Sequence, residues 1–360
     1  MNHAQTSPVD AAKAFGAVAD WYHAYFTGIV LSTVTRLGAA RADELVYEVF
    51  SRQRRERFLP GLQKLGLDKL PHAVAAAQYH YLSNHIGGVA VEYMYESDRK
   101  AWIRYAAPRW IWAGTALCGI PSSVSRSMLA GWHAQNGLSL GNPRLGFVCT
   151  KQTTDGQSGL EGYYLEYDHV LEAHERLRFA PHEDAPDFNP SAAPILPIST
   201  WPQERLSKAH RNYAMEYVRT AYPTALALWG PDQACQLLRL TGRMIGMQYY
   251  HQIAASLGLA ADRSAASFAQ FIAALAQAQG DRCEVQAHSS GLRVHQSGWK
   301  FMEGIADADN ALASSWNGLI EGALAAHNHR LGLSFHADTR GTQPELEWLV
   351  TDAPGRTRPA

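Results

Sequence analysis

A chain of 360 residues has room for two ordinary domains with complete cores. Its 32 basic and 33 acidic residues balance, so no basic stripe argues for nucleic acid or an anionic membrane as partner. With 46% hydrophobic and 18% charged residues the composition is globular and rich in aromatics, which suits buried interfaces or an apolar pocket.

The opening MNHAQTSPVDAAKAF has no basic segment leading into an apolar core, so no secretory signal is expected. The run FTGIVLSTVTRLGA is broken by Thr, Ser and Arg36 and is too short to span a bilayer. Cys118, Cys149, Cys235 and Cys283 lie far apart and form no CxxC pair, the pattern of a reduced, cytoplasmic protein with buried thiols.

Residues 11–38 read as a helix whose apolar face carries Phe15, Val18, Tyr22, Tyr25, Phe26 and Ile29, a face that could also pair two chains as a homodimer. A second helix follows over 42–65 and stops at Gly66, where glycine accepts a left-handed cap. Its patch Arg52, Arg54, Arg55, Glu56, Arg57 is a solvated face. A third helix, PHAVAAAQYHYLSNHIGG, ends at Gly87 and Gly88. Two strand-like runs, VAVEYMY and KAWIRYAAPRWIWAG, then precede a helix ending in SMLAGWHAQNG and two further strands, LGFVCT and LEGYYLEYD. Between 181 and 203 proline recurs, removing backbone donors and disfavouring helix, so this is an extended linker between halves 1–180 and 204–360.

The second half can be laid on the first. An offset of 192 pairs Trp21 with Tyr213, Tyr25 with Tyr217, Gly38 with Gly230, Gly66 with Gly258, Gly88 with Gly280 and Glu92 with Glu284. It falls to 189 for Arg104 with Arg293 and Trp110 with Trp299, and rises to 195 for Leu129 with Leu324 and Gly137 with Gly332. The expectation is an internal duplication in an α+β chain, each half a helical layer on a four-stranded antiparallel sheet of two hairpins with a helix between, the halves forming a pseudo-two-fold pair. Pockets favour such interfaces.

The half-chain pattern, carried by LLRLTGRMIGMQYYHQIAASLG, the GLIEGALAAHNHRLG helix and the LSFHAD strand, resembles small-ligand domains of the 4-vinyl reductase type, the thiazoline-carboxylate hydrolase family and, more loosely, heme nitric-oxide/oxygen binding domains. The whole, through PRWIWAG and LAGWHAQNGLSLGNPRLGFVCT, resembles bacterial proteins of the trans-anethole oxygenase type, which cleave the propenyl chain of phenylpropenes to aromatic aldehydes. This resemblance implies an oxygenase for a small apolar aromatic, with heme as the cofactor. In the heme-binding domains the proximal histidine sits on the helix before the sheet, which makes His80 the metal ligand, with His85 and Arg104 as further cofactor contacts.

Read from the residues, His80 is equally a satisfied histidine among Tyr79 and Tyr81. Comparing halves puts His133 opposite Asn328, His251 opposite Leu59 and His85 opposite Gln277, differences where a duplicated scaffold can specialise. His133 and His251 are therefore candidate catalytic groups. Arg104 and Trp110, which recur as Arg293 and Trp299, read as framework. Period-two spacing puts Trp102 with Arg104 and Trp110 with Trp112 on common strand faces; Trp110, Trp112, Tyr163 and Tyr164 would wall a flat apolar ligand. His327 and His329 point apart at a helix end, where a cationic histidine is favoured. No GxSxG, GxGxxG or GxxxxGK is present, which weighs against serine-hydrolase, dinucleotide and nucleotide chemistry. Two alternatives stand beside the oxygenase: a ring-opening or amide hydrolase using Cys149, Cys118 or a His-activated water, and a non-catalytic heme or small-ligand sensor.

Overall fold

The computed structural model describes residues 8–259, 262–305, 309–341 and 343–352, with side chains from residue 11 onward. Ten α-helices and nine strands are defined among them: α1 Pro8–Leu37, α2 Ala39–Leu65, α3 His72–Ile86, β1 Val91–Ser97, β2 Lys100–Ala106, α4 Ser122–Gly131, α5 Asn136–Ser139, β3 Leu145–Lys151, β4 Gly159–Glu166, β5 Leu177–Phe179, α6 Gln203–Trp229, α7 Pro231–Ser256, α8 Ala265–Gln279, β6 Arg282–His288, β7 Gly291–Ser297, α9 Asn310–Trp316, α10 Gly318–Asn328, β8 Leu331–Asp338 and β9 Glu345–Asp352. The fold is α+β. No helix among the described residues is long and apolar enough to cross a membrane.

Two compact units result, but the division is not at the proline-rich segment alone. One unit takes Val30–Leu206; the other takes the chain up to Ile29 together with Ser207 onward. The aromatic face of α1 explains the transfer. Tyr22, Tyr25 and Phe26 are fully buried. Tyr25 Oη lies 2.7 Å from Tyr222 Oη and donates to the carbonyl of Leu238 at 2.8 Å, while Trp316 Nε1 donates to Tyr22 Oη at 2.9 Å. The face expected to pair two chains is consumed inside this unit.

In the middle unit the sheet order is β1-β2-β4-β3-β5, with β5 added parallel to β3 and all other pairs antiparallel. Register puts Trp102 opposite Tyr163 and Arg104 opposite Glu161 on the outer face, while Tyr105, Tyr164 and Phe147 face the helices. The proline-rich segment is not a free tether: Ala180, Ala185 and Phe188 pack with Met94, Trp102, Val148 and Tyr163 and cover that outer face.

The other unit has a sheet of order β6-β7-β9-β8, the same strand order as the first four of its counterpart. Gly38 and Gly230 share one conformation before α2 and α7 (φ 93°, ψ 162° and φ 78°, ψ 163°). Gly66, in the left-handed region as the cap requires, has a counterpart in Gly258. Register changes two of the later correspondences. Glu92 is paired with Arg104 and Glu284 with His295, so His295, not Arg293, holds the place of Arg104. Gly131 lets α4 approach α2, where a Cβ would stand 2.5 Å from the Tyr47 carbonyl oxygen; Gly318 does the same against the Arg239 carbonyl, 192 residues beyond Tyr47. Counted from these two glycines, His133 takes the position that Ile320 takes after Gly318, an offset of 187 where the sequence comparison used 195.

Candidate functional site

The middle unit carries a buried group of polar and aromatic side chains between its helices and sheet. α3 supplies His80. At the end of α4 the chain departs from helix at Trp132 (φ −107°, ψ −73°), tightens into a 3-10 turn over His133–Gln135 and continues into α5. Three residues per turn bring His133 and Asn136 to one side. β2 and β4 contribute Tyr105 and Tyr164 from their helix-facing positions.

Hydrogen bonding fixes the protons. The Asn136 amide nitrogen donates to His80 Nε2 and to Tyr164 Oη, both at 2.9 Å. His80 therefore carries its proton on Nδ1 and donates to Tyr105 Oη at 3.3 Å. Tyr164 Oη, already accepting from Asn136, donates to His133 Nδ1 at 2.7 Å. The two imidazoles stack with centroids 4.1 Å apart, and Phe147 packs 4.7 Å from His133. Burial pushes His80 down to about 3; burial, then the charges of His80 and Arg109, hold His133 well below the ordinary histidine range. Both rings are neutral at physiological pH. Burial raises Tyr164 well above the usual phenol range, so no charge resides on it either.

Three polar atoms remain unused. Asn136 Oδ1 and Trp132 Nε1 are buried without a partner among the described residues. His133 Nε2 likewise has no hydrogen-bond partner there.

The two histidines differ in which ring nitrogens the protein already occupies. Both nitrogens of His80 are occupied by protein groups, so His80, the ligand expected from the sequence, does not fit that role. His133 fits it: one nitrogen is oriented by Tyr164 and the other is not taken. Among the described residues no group of three or more His, Cys, Asp or Glu side chains converges to hold a bare metal ion.

The other expected residues are dispersed. His85 is exposed in the last turn of α3, away from the pair. Arg104 lies on the outer sheet face, 2.5 Å from Glu92 and 3.6 Å from the buried Glu161, which Thr150 and the Ala185 backbone also satisfy. Its role is structural. Trp110 and Trp112 follow β2 instead of belonging to it; Trp112 has φ 57°, so strand alternation does not apply to them. Tyr163 faces outward and packs 4.4 Å from Trp102, opposite in direction to Tyr164. Cys149 is buried, and burial pushes its thiol up to about 12, which removes thiolate character; Cys118 is exposed. His251 belongs to the other unit, 5.0 Å from Tyr250. His327, expected as a cationic helix end, is instead buried with its pKa lowered by burial. Asn136, Tyr105 and Trp132 were not singled out in the sequence, although Trp132 and Asn136 flank His133 in GWHAQNG.

No protein-family model, no curated protein and no solved structure matches this chain.

Proposed function

We propose that the protein is an oxygenase acting on small apolar aromatic molecules of the phenylpropene type, and that heme, if it is the cofactor, is held through His133 and not His80. The observation that carries this is the asymmetry of the two stacked imidazoles: His80 is closed by Asn136 and Tyr105, whereas His133 is oriented at Nδ1 and has Nε2 without a partner among the described residues. Heme bound there would supply the redox chemistry that activates dioxygen or peroxide toward the side-chain alkene. The chain's own contribution is an imidazole kept neutral by burial, fixed in orientation by Tyr164 and backed by the aromatic surfaces of His80 and Phe147. The hydrolase reading loses its buried nucleophile, because a Cys149 thiol near 12 carries almost no thiolate at neutral pH.

The test is the visible spectrum of the purified protein mixed with hemin. A Soret band that survives in His80→Phe and is lost in His133→Ala supports the assignment; loss in His80→Phe alone reverses it. Conversion of trans-anethole to its aldehyde in air but not under nitrogen or without peroxide supports the oxygenase. Ligand binding with no turnover leaves a sensor in its place.

A further inference from the structure

The unit built on α7–α10 has a cleft of about 280 Å³, which the preceding reading does not use. Its floor is apolar, made by Ala254, Ala255, Leu259 and Ala326. Beside it runs a chain of hydrogen bonds. His327 Nε2 lies 2.9 Å from the carbonyl of Ser264, which can only accept, so the ring proton is on Nε2. Nδ1 then accepts from the hydroxyl of Tyr250 at 2.6 Å. The tyrosine proton is committed to the imidazole, and His327, lowered by burial, is neutral at neutral pH. Tyr250, pushed up to about 12 by burial, also stays neutral.

The charge lies at the rim. Arg263 is exposed, and its Nε donates to the carbonyl of His327 at 3.2 Å, which fixes the root of the guanidinium. Its terminal amino groups have no partner among the described residues. Asp262 also lines the cleft and is ionised: Oδ1 accepts from the Ser264 backbone and hydroxyl at 2.9 and 2.7 Å, and hydrogen bonds from Ser264 and Ser267 hold its carboxyl down at about 2, so one of its oxygens is committed to its own loop. His251, also exposed, adds a ring without a hydrogen bond among the described residues.

From a neutral apolar floor, a guanidinium anchored at one nitrogen with its terminal donors unused while the neighbouring Asp262 is bonded within its own loop, and a volume at the small end of ligand pockets, we infer that this cleft binds a small organic carboxylate, with the carboxylate on Arg263 and a compact apolar body over the alanines. A guanidinium with free terminal donors matches a carboxylate in geometry as well as in charge.

The experiment uses the full chain and three probes, read by calorimetric titration. Benzoate has the charge and the body, benzamide only the body, and inorganic phosphate only the charge. Benzoate is expected to bind best. Arg263→Gln is expected to weaken it by about tenfold or more, the loss of one charge-assisted contact. Arg263→Lys should retain part of the affinity, and His133→Ala should leave it unchanged, which separates this cleft from the site in the other unit. Equal binding of benzamide or phosphate, no binding of benzoate, or benzoate affinity unaltered in Arg263→Gln overturns the inference.

Discussion

Acid should loosen the middle unit at its stacked histidines before any carboxylate is involved. His80 is pushed to about 3 in the folded chain, against an ordinary value of 6.5, and His133 is lowered by the same burial. A histidine depressed on folding binds more protons when unfolded, so its contribution is complete above pH 6.5 and falls as the pH drops toward the folded value. Below pH 6 the His80 ring removes about 1.4 kcal/mol per pH unit, or about 2 kcal/mol by pH 5 for a shift of this size. His133, lowered in the same direction by its own burial, adds to that loss, which matters against an ordinary domain's modest stability. The positive charge of Arg109 acts on His133 and opposes its protonation further. The lowered carboxyls of this unit, Glu96, Asp168 and Glu175, titrate below that window. Hydrogen exchange of the α3 and β4 amides reports on this unit separately and should show protection falling between pH 7 and 5, after correction for intrinsic exchange. In His80→Phe, which keeps a ring against His133, the loss by pH 5 should be smaller by the His80 share of about 2 kcal/mol. An unchanged pH slope in both His80→Phe and His133→Phe would refute the view that these rings are buried and neutral.

Arg104→Ala should destabilise the same unit by about 2–4 kcal/mol, because it leaves the buried Glu161 carboxylate without its cation; Glu161→Gln in the same chain should recover part of this in urea unfolding. Gly322→Ala should cost about 1–3 kcal/mol, since a Cβ there would lie 2.0 Å from the Arg243 carbonyl where α10 crosses α7. Iodoacetamide should modify the exposed Cys118 and leave Cys149 untouched in the folded chain, as mass spectrometry of the Cys118→Ser variant would show.

The helices were legible because their signals are local: apolar spacing gave 42–65 and Gly66 its stop, and the structure places α2 at Ala39–Leu65 with Gly66 left-handed. The hairpins were legible from alternation, which also put Trp102 and Arg104 on one face. What alternation could not show is where a strand ends, and Trp110 and Trp112 were carried past the last residue of β2. The fate of the aromatic face of α1 was also hidden, because one amphipathic stripe satisfies a second chain or a distant part of the same chain equally well. For the site, His80 and His133 were both marked, but their roles depend on which ring nitrogen Asn136 and Tyr164 reach. That is decided by a 3-10 turn that no periodicity announces.

The structural correspondences bear on how two sites could arise in one chain. Shared strand order, glycine conformations at Gly38 and Gly230, and glycines at Gly131 and Gly318 set against carbonyls 192 residues apart are what duplication of one segment would leave. On that alignment His80 corresponds to Ile272, which is buried, and Tyr250 to Phe58, which packs with centroids 6.4 Å from His80. Each half would thus have placed polar groups where the other is apolar: an imidazole pair on α3 and the turn after α4 in one, a tyrosine on α7 hydrogen-bonded to a histidine at the end of α10 in the other. Neither pair needs the other's residues to satisfy its hydrogen bonds. Buried polar groups are costly unless paired, so removing one partner of either pair should destabilise its own unit. Tyr164, Asn136 and Ser264 fix the protons of these histidines, and of the three only Tyr164 was singled out in the sequence, as part of an aromatic wall.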